Sequence, residues 1–314
     1  MKRKAIIISL KGKILSKNEK ILLSKEKPWG VILFERNIHS LKQTQHLIYE
    51  IRKYTNNKSF PILIDEEGSS VSRLRKIFLN RLNAKYFGEI YVKDKKSAIF
   101  IYKNYIKSLC NILKKIGFNI NTIPVLDVLR NNTNQIIGAR SFSNKKEIVK
   151  ILGEITVREC HKNKVASVIK HIPGHGCSNK DSHIIMPKIN LNESKLNTID
   201  FYPFKFSSAK LAMTAHILYS KIDSKNISTL SKKIIKKIIR KKIGFKGILI
   251  SDDISMKALN KNLSLNAEKA LNAGCNLVLY CKGDIKESRK LLKNLRFIDN
   301  FTQKKTYQFY DFLR

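Results

Sequence analysis

The sequence predicts an α/β protein whose 314 residues form a single (β/α)8 barrel, the TIM-barrel architecture. Eight short runs rich in β-branched residues alternate with helical patterns along the chain. Strands that alternate with helices imply a parallel sheet with helical crossovers, and eight such units imply that the sheet closes on itself. No Pro-, Gly- or Ser-rich linker, low-complexity block or second class of repeat divides the chain. We therefore predict one barrel domain over residues 1–314.

The predicted elements follow this alternation from one end of the chain to the other. The strands are predicted at Ala5–Leu10, Val31–Phe34, Ile62–Asp65, Ile120–Val125, Ser167–His171, Ala212–His216, Ile248–Asp252 and Leu277–Cys281. The helices are predicted at Lys20–Lys25, Leu41–Tyr54, Ser97–Gly117, Lys145–Asn163, Glu193–Ala209, Leu230–Ile243, Met256–Ala273 and Lys286–Leu295.

The start of the chain predicts a first strand in a cytoplasmic protein. It has basic residues, but Lys11 and Lys13 interrupt the apolar run Ala5–Leu10, whereas a signal peptide needs about 7–15 apolar residues and a small-residue cleavage site. No apolar run approaches the roughly 18 residues of a membrane span. The cysteines form no C-x-x-C pair, which favours reduced thiols over disulfides or a structural zinc site; they are Cys110, Cys160, Cys177, Cys275 and Cys281.

The charge of the chain is strongly positive, with 62 Lys and Arg against 24 Asp and Glu and a formal net charge of +38. Such an excess suits a nucleic-acid or membrane surface. The most basic segment, Ser231–Gly247, places isoleucines on one helical face and lysines around it, as in a membrane-surface helix or an outer helix of a soluble barrel. Because lysine is abundant from end to end and no nucleic-acid-binding motif accompanies it, we favour the outer helix. We predict no specific nucleic-acid partner and no membrane partner.

Polar residues follow five of the predicted strands directly, in PILIDEEG, TIPVLDV, SVIKHIPGHG, LAMTAHI and GILISDD. In a (β/α)8 barrel the carboxyl ends of the strands and the loops after them build the active site. Charges at these positions do not favour stability, because an unpaired buried charge is strongly destabilising. We therefore expect one cavity to be lined by Asp65, Asp127, Lys170, His171, His216, Asp252 and Asp253.

The segment Lys170–His183, KHIPGHGCSNKDSH, contains a candidate acid–base group. Its proline and glycines exclude a helix, so His171 and His175 are not an i, i+4 zinc pair. Asp181 precedes His183 by two residues, and a carboxylate beside an imidazole can orient the ring and hold its proton. The alternative is an ordinary surface hydrogen bond, which the spacing alone does not exclude.

The segment Gly247–Met256, GILISDDISM, places two adjacent carboxylates at the end of the seventh strand. Because side chains alternate along a strand, Asp252 and Asp253 should not both point into the mouth of the barrel. We expect one to face the substrate and the other to brace the loop or cap the next helix. The alternative is that both cap a helix that begins at about Met256.

The segment Ile64–Leu74, IDEEGSSVSRL, places Asp65 at a strand end and Arg73 eight residues later. A carboxylate can accept hydrogen bonds from two sugar hydroxyls, and a guanidinium can donate several to a polar substrate. A buried Asp–Arg pair that holds the loop is the alternative. Arg140, in the short stretch GARSF, is a weaker candidate.

Taken in order and spacing, these segments resemble the signature segments of the NagZ-type β-N-acetylglucosaminidases of glycoside hydrolase family 3. The matching segments run from about Val31 to about Cys281 and are ILIDEEGSSVSRL, PVLDV, GARSF, KHIPGHGCSNKDSH, MTAHILY and GFKGILISDDISM. The resemblance implies an amino-terminal-type barrel domain of this family. It also implies a retaining exo-hydrolase that removes terminal β-linked N-acetylglucosamine (GlcNAc). The substrate that it implies is GlcNAc–1,6-anhydro-N-acetylmuramic acid with its peptide, in peptidoglycan recycling.

The family pattern also implies roles for individual residues. It makes Asp252 the nucleophile and His183 the proton donor and acceptor, with Asp181 orienting His183. The hydrolysis requires no cofactor and no metal, and we expect a saccharide as the only partner of a monomeric enzyme. The substrate-binding positions that match the family are Asp65, Arg73, Arg140, Lys170 and His171.

The chain departs from the family pattern at two places. The family usually has the sequence EGG-R-V where Glu67–Val71 has EGSSV, so Ser69 and Ser70 replace a glycine and an arginine. The residue after GHG is Cys177, at a position that is often small or acidic in the family. Two other functions stay open: a family 3 β-glucosidase of other sugar specificity, and a basic barrel that binds polyanions without catalysis.

Overall fold

The structure, a computed structural model, describes residues 2–131, 133–178 and 186–313. Eight strands form a closed parallel barrel, in which each hydrogen-bonds to the next in the order β1-β10-β9-β7-β5-β4-β3-β2. Two further strands, β6 and β8, pair in a small separate sheet. The strands are β1 (Lys4–Ser9), β2 (Pro28–Leu33), β3 (Ile62–Ile64), β4 (Ile120–Asn121), β5 (Ala166–Ile172), β6 (Lys188–Ile189), β7 (Leu211–Thr214), β8 (Leu218–Tyr219), β9 (Ile248–Asp253) and β10 (Leu277–Tyr280).

Helices surround the barrel and cover its outer face. Two π-helical segments, Leu22–Glu26 and Ile234–Lys242, accompany the α-helices. The α-helices are α1 (Lys17–Ile21), α2 (Leu41–Thr55), α3 (Ala84–Lys93), α4 (Lys95–Ile116), α5 (Lys146–Lys162), α6 (Glu193–Thr198), α7 (Leu263–Ala273), α8 (Ile285–Asn294) and α9 (Asn300–Leu313). No helix in the described part of the chain combines the length and the apolar character needed to cross a bilayer.

The barrel closes because the first and last strands of the chain pair with each other. Ile7 of β1 lies opposite Leu279 of β10 on one side and opposite Gly30 of β2 on the other. Every residue of β2 and β5 is buried, as expected for parallel strands that are covered on both faces. The large side chain of Trp29 is fully buried, and its Nε1 donates a hydrogen bond to Thr306 of α9 at 2.9 Å. The barrel fold predicted from the sequence is therefore confirmed.

The basic segment is an outer helix of the barrel, as predicted. The isoleucines of the π-helix Ile234–Lys242 are buried, whereas most of its lysines are exposed. Its apolar face is therefore occupied by the barrel and is not presented to a membrane.

Several predicted elements are shorter than expected, and in three of them the difference is large and has a physical reason. The fourth strand ends at Asn121, and Pro124, which has no backbone N–H, follows in the extended chain that leads to the cavity. The helix predicted over Glu193–Ala209 ends at Thr198, before a short 3₁₀ turn that contains Pro203. The helix predicted from Met256 begins only at Leu263, after the N-cap Asn262.

Two helices, α3 and α9, were absent from the sequence prediction. Both are amphipathic, and α3 begins after Asn83, whose side chain accepts a hydrogen bond from the backbone N–H of Tyr86 as an N-cap. α9 packs across the wall of the barrel through Thr306, which accepts the hydrogen bond of the Trp29 indole, and through the buried Phe309.

Candidate active site

One cavity of about 440 Å³ opens at the carboxyl ends of the barrel strands. Its volume lies within the range of about 300–1,000 Å³ that is typical of small-molecule sites. The structure brings six of the predicted site residues together in its lining, and Asp253 joins them. Asp181 and His183 lie outside the described residues. The six are Asp65, Arg73, Arg140, Lys170, His171 and Asp252.

Two residues expected in the lining, Asp127 and His216, lie behind it instead. Both are completely buried. Asp127 contacts His171 from below the cavity surface, and His216 contacts the backbone of Asp253. The expectation that both line the cavity is wrong, because a polar residue after a strand can face the packed layer between strand and helix as well as the mouth of the barrel.

Asp65 lies at the carboxyl end of β3 between two cations. Its carboxylate contacts Arg73 at 3.2 Å and Lys170 at 3.5 Å, and it accepts a short hydrogen bond from the hydroxyl of Thr122. Burial favours a higher pKa for this carboxyl, but the charges of Lys170 and Arg73 outweigh it and hold the pKa well below its usual value. Asp65 is therefore an ionised hydrogen-bond acceptor at the cavity surface.

The loop after β3 brings Arg73 back to Asp65, because hydrogen bonds to Glu66 hold the loop in a compact conformation. Glu66 is fully buried, and its carboxylate accepts hydrogen bonds from the backbone N–H groups of Arg73 at 2.9 Å and Leu74 at 3.2 Å. The hydroxyl of Ser72 donates a third at 3.0 Å. The guanidinium of Arg73 then lies 5.3 Å from the centre of the Phe34 ring, which supports it by a cation–π contact.

The EGSSV turn is tight in spite of its departure from the family pattern. The backbone N–H of Glu67 donates to the carbonyl of Val71 at 2.8 Å, and that of Ser69 donates to the carbonyl of Leu82 at 2.8 Å. Gly68 has a φ of +131°, and a Cβ there would lie 2.2 Å from the Leu82 carbonyl oxygen. Glycine is therefore required at this position.

Glu67 joins two of the predicted substrate-binding cations. Its carboxylate accepts hydrogen bonds from Nε of Arg140 at 2.7 Å and from Nη2 of Arg140 at 2.9 Å, which makes the pair bidentate. The Nζ atom of Lys170 lies 2.6 Å from the same carboxylate. Burial favours a higher pKa for Glu67, but Arg140 and Lys170 lower it to about 2, and Glu67 raises the pKa of Arg140 against the effect of burial.

Asp127 holds the imidazole of His171 in position. Its carboxylate lies 2.7 Å from Nδ1 of His171 and accepts a hydrogen bond from the backbone N–H of His175 at 2.6 Å. Burial favours a higher pKa for Asp127, but the two histidines lower it below its ordinary value. An ionised Asp127 requires a proton on Nδ1 of His171, so Nε2 is the acceptor when the ring is neutral.

The two carboxylates at the end of β9 differ in their partners. Asp253 accepts hydrogen bonds from the backbone and side chain of Ser255 and from the backbone N–H of Cys281 at 3.2 Å, and burial raises its pKa. Asp252 lines the cavity, is half-buried, and accepts a hydrogen bond from the backbone N–H of Asp253 at 2.8 Å. Asp253 therefore braces the loop, as expected for one of the pair, but it also lines the cavity beside Asp252, contrary to the expectation that only one of the two would reach it. Since the next helix begins at Leu263, the alternative in which both cap a helix at Met256 is wrong.

His216 supports the backbone next to Asp252. Its Nε2 donates to the carbonyl oxygen of Asp253 at 3.0 Å, and its Nδ1 lies 2.8 Å from the hydroxyl of Thr229. Burial lowers the pKa of His216, which favours the neutral ring. This histidine therefore fixes the backbone at the end of β9.

The sequence analysis missed two polar contributors, Glu67 and Thr122. Glu67 lies two residues after Asp65, and in an extended chain such residues point to the same side; that spacing could have identified it. No sequence pattern could have identified Thr122, because its partners Asp65 and Lys170 come from other strands. Among the residues that the structure describes, no three His, Cys, Asp or Glu side chains form a group that could hold a metal ion.

The barrel and its carboxylate-bearing cavity fit the class of enzymes that hydrolyse glycosides, a reaction that depends on acid–base groups around the anomeric carbon. The family follows from sequence comparison. Residues 6–306 match the Glycosyl hydrolase family 3 N terminal domain, and the chain belongs to this family. The resemblance noted in the sequence is thus confirmed, and the chain is a glycoside hydrolase.

Relatives of known sequence and structure agree with this assignment. The chain is 33% identical over 302 residues to a β-hexosaminidase of Haemophilus influenzae, which covers 94% of this chain and 84% of that protein. It superposes on NagZ from Neisseria gonorrhoeae, solved in complex with N-trifluoroacetyl-D-glucosamine, with a TM-score of 0.88 and 28% identity over 100% of this chain and 91% of that one. A family 3 β-N-acetylglucosaminidase from Paenibacillus sp. gives a TM-score of 0.86 at 25% identity, over 98% of this chain and 60% of that one.

Proposed function

We propose that this protein is a retaining exo-β-N-acetylglucosaminidase that removes terminal β-linked GlcNAc. The observation that carries the proposal is the cavity itself, in which Asp252 shares one open surface with Asp65, Arg73, Lys170 and other groups that match sugar hydroxyls. The names of the relatives support an amino sugar as the substrate. The curated proteins are β-hexosaminidases, and the Neisseria gonorrhoeae structure is a complex with an N-acylated glucosamine.

In the proposed mechanism Asp252 is the nucleophile. Its carboxylate attacks the anomeric carbon, the bond from that carbon to the leaving oxygen breaks, and His183, in its protonated form, gives a proton to the departing oxygen. Asp181 orients His183. Water then hydrolyses the glycosyl–Asp252 ester, with neutral His183 as the base, so that the product retains the β configuration.

The remaining groups would bind the sugar. Ionised Asp65 accepts from hydroxyls, Arg73 and Lys170 donate to them, and Nε2 of His171 accepts from a hydroxyl while Asp127 holds its Nδ1 proton. Arg140 contributes to the same surface through its pair with Glu67. These contacts would position the anomeric carbon against Asp252.

We further propose that the natural substrate is the GlcNAc–1,6-anhydro-N-acetylmuramic acid unit of muropeptides, hydrolysed in the cytoplasm during peptidoglycan recycling. The resemblance to the NagZ type supports this substrate. Monomeric enzyme and cytoplasmic location stay predictions, to be tested by light scattering of the purified chain and by fractionation of cells.

The decisive experiment compares wild type with Asp252→Asn on an aryl β-GlcNAc and on the matched aryl β-glucoside. Asp311→Asn, at an exposed position on α9, serves as the matched control. We expect the wild type and the control to release GlcNAc first as the β-anomer and to prefer the GlcNAc substrate. Asp252→Asn should have lost activity. Full activity in Asp252→Asn would refute the nucleophile, an α-anomer would refute retention, and preference for the glucoside would identify a β-glucosidase.

A further inference from the structure

Glu67 satisfies both of the cations that it contacts. Arg140 donates two hydrogen bonds to its carboxylate, at 2.7 and 2.9 Å, and Lys170 contacts it at 2.6 Å. The side chains of Glu67, Arg140 and Lys170 are 6%, 12% and 3% exposed. Salt in the solvent screens such a buried arrangement only weakly.

The cavity would have a different chemistry without this carboxylate. A guanidinium beside an ammonium is an arrangement that proteins use to bind phosphate and carboxylate ligands. The chain carries a net charge of +38, and such an excess of positive charge raises the local concentration of anions. Without Glu67, Arg140 would lose its carboxylate partner and Lys170 would keep Asp65 as its carboxylate partner, at 3.5 Å. The two cations would then carry excess positive charge and attract phosphate or an acidic sugar into the cavity.

We propose that Glu67 is a specificity-determining residue that keeps the cavity selective for a neutral sugar by occupying Arg140 and Lys170. It excludes ligands that carry phosphate or carboxylate at the position where the sugar binds. The identity of the neutral sugar rests on the proposed function, whereas the exclusion of anions concerns the cavity alone.

Three features of the site make Glu67 suited to this role. The positive charges of Arg140 and Lys170 lower its pKa to about 2, so that it is ionised at neutral pH. Asp65 contacts Arg73, the other arginine among the described lining residues, at 3.2 Å. The short turn that follows Glu67 fixes its backbone, because its N–H donates to the carbonyl of Val71 at 2.8 Å.

The experiment measures binding of inorganic phosphate by calorimetry to wild type, Glu67→Gln and Glu89→Gln, in buffers matched for ionic strength with chloride. Glu89 is an exposed residue of α3, so its variant has the same net charge as Glu67→Gln but an unchanged cavity. We expect Glu67→Gln to bind phosphate at least about tenfold more tightly than wild type and Glu89→Gln to behave as wild type. GlcNAc should displace the phosphate bound to Glu67→Gln.

Equal phosphate affinity in wild type and Glu67→Gln would overturn the proposal, and so would an equal gain in Glu89→Gln, which would indicate a general effect of charge. Two further variants separate the predicted effect from a defect in folding. Glu67→Asp, which keeps the charge, should exclude phosphate, and Glu67→Gln/Arg140→Gln, which removes both members of the pair, should lose most of the gain. Phosphate binding to the wild type that GlcNAc displaces at similar concentrations would also overturn the proposal.

The result is separable from the proposed function. A protein that cleaves no aryl β-GlcNAc but gains phosphate binding in Glu67→Gln would refute the proposed activity and support the role of Glu67. An active hexosaminidase whose Glu67→Gln variant gains no phosphate binding would do the reverse.

Discussion

Replacing Asp127 by asparagine should weaken both the fold and the site. Asp127 is completely buried and accepts hydrogen bonds from Nδ1 of His171 at 2.7 Å and from the backbone N–H of His175 at 2.6 Å. The amide of asparagine keeps one acceptor but loses the charge and turns an NH₂ group toward a donor. Replacing a buried ionised acceptor in this way costs about 1.5–3 kcal/mol, which corresponds to a loss of about 2–5 °C in Tm for a chain of this size.

Thermal and urea unfolding, followed by circular dichroism, measure this loss, with Asp311→Asn as the control. The low pKa of Asp127 adds a second test, because its stabilisation is complete above the unfolded pKa of about 4 and is lost as the pH falls through the lower pKa of the folded state. The unfolding free energies of wild type and Asp127→Asn should therefore converge in acid.

The same variant should raise the KM for an aryl β-GlcNAc about tenfold, since His171 would no longer be held with Nε2 toward the sugar. A variant with the Tm of wild type and an unchanged KM would refute the role that we assign to the Asp127–His171 pair. A loss of stability without a change in KM would show that Asp127 supports the fold alone.

Two further predictions concern residues next to the site. Burial lowers the pKa of His175 to about 4. The folded state is therefore favoured fully above about pH 6.5, and it loses about 3 kcal/mol of unfolding free energy as the pH falls toward 4 and the ring must be protonated. Across this range the unfolding free energy should depend less on pH in His175→Asn than in the exposed-site control His46→Asn. Gly68→Ala should destabilise the fold by about 1–3 kcal/mol and raise KM, because the new Cβ would meet the Leu82 carbonyl at 2.2 Å. Gly12→Ala, where nothing lies within 4 Å, should have little effect on urea unfolding or KM.

The fold was largely predictable because its signals are local. β-branched runs mark the barrel strands, and their alternation with helices leaves little choice of topology. Errors arose where a local pattern competed with a neighbouring constraint. The apolar residues around Met256 have helical spacing, yet Asp253 takes the N–H and hydroxyl of Ser255 and holds this stretch as a loop before Asn262 caps α7.

Most of the described members of the cavity lining were predictable one by one, but their network was not. Motif positions identified Asp65, Arg140 and Lys170, because each follows or lies near the end of a strand or a short signature segment. Their connection through Glu67 depends on which side chains meet across neighbouring strands. That depends on the register of the strands, which the sequence of one strand alone does not determine. The depth of Asp127 behind His171 could not be predicted for the same reason.

Lys170 gives the barrel a constraint that reaches beyond binding. This one ammonium joins Thr122, which follows β4, to Asp65 and Glu67, which follow β3, while its own backbone belongs to β5. Replacing Lys170 itself would release contacts to the ends of two neighbouring strands at once, whereas replacing a single partner would leave the other contacts of the ammonium in place. Engineering of a new sugar preference should therefore keep Lys170 and vary its partners.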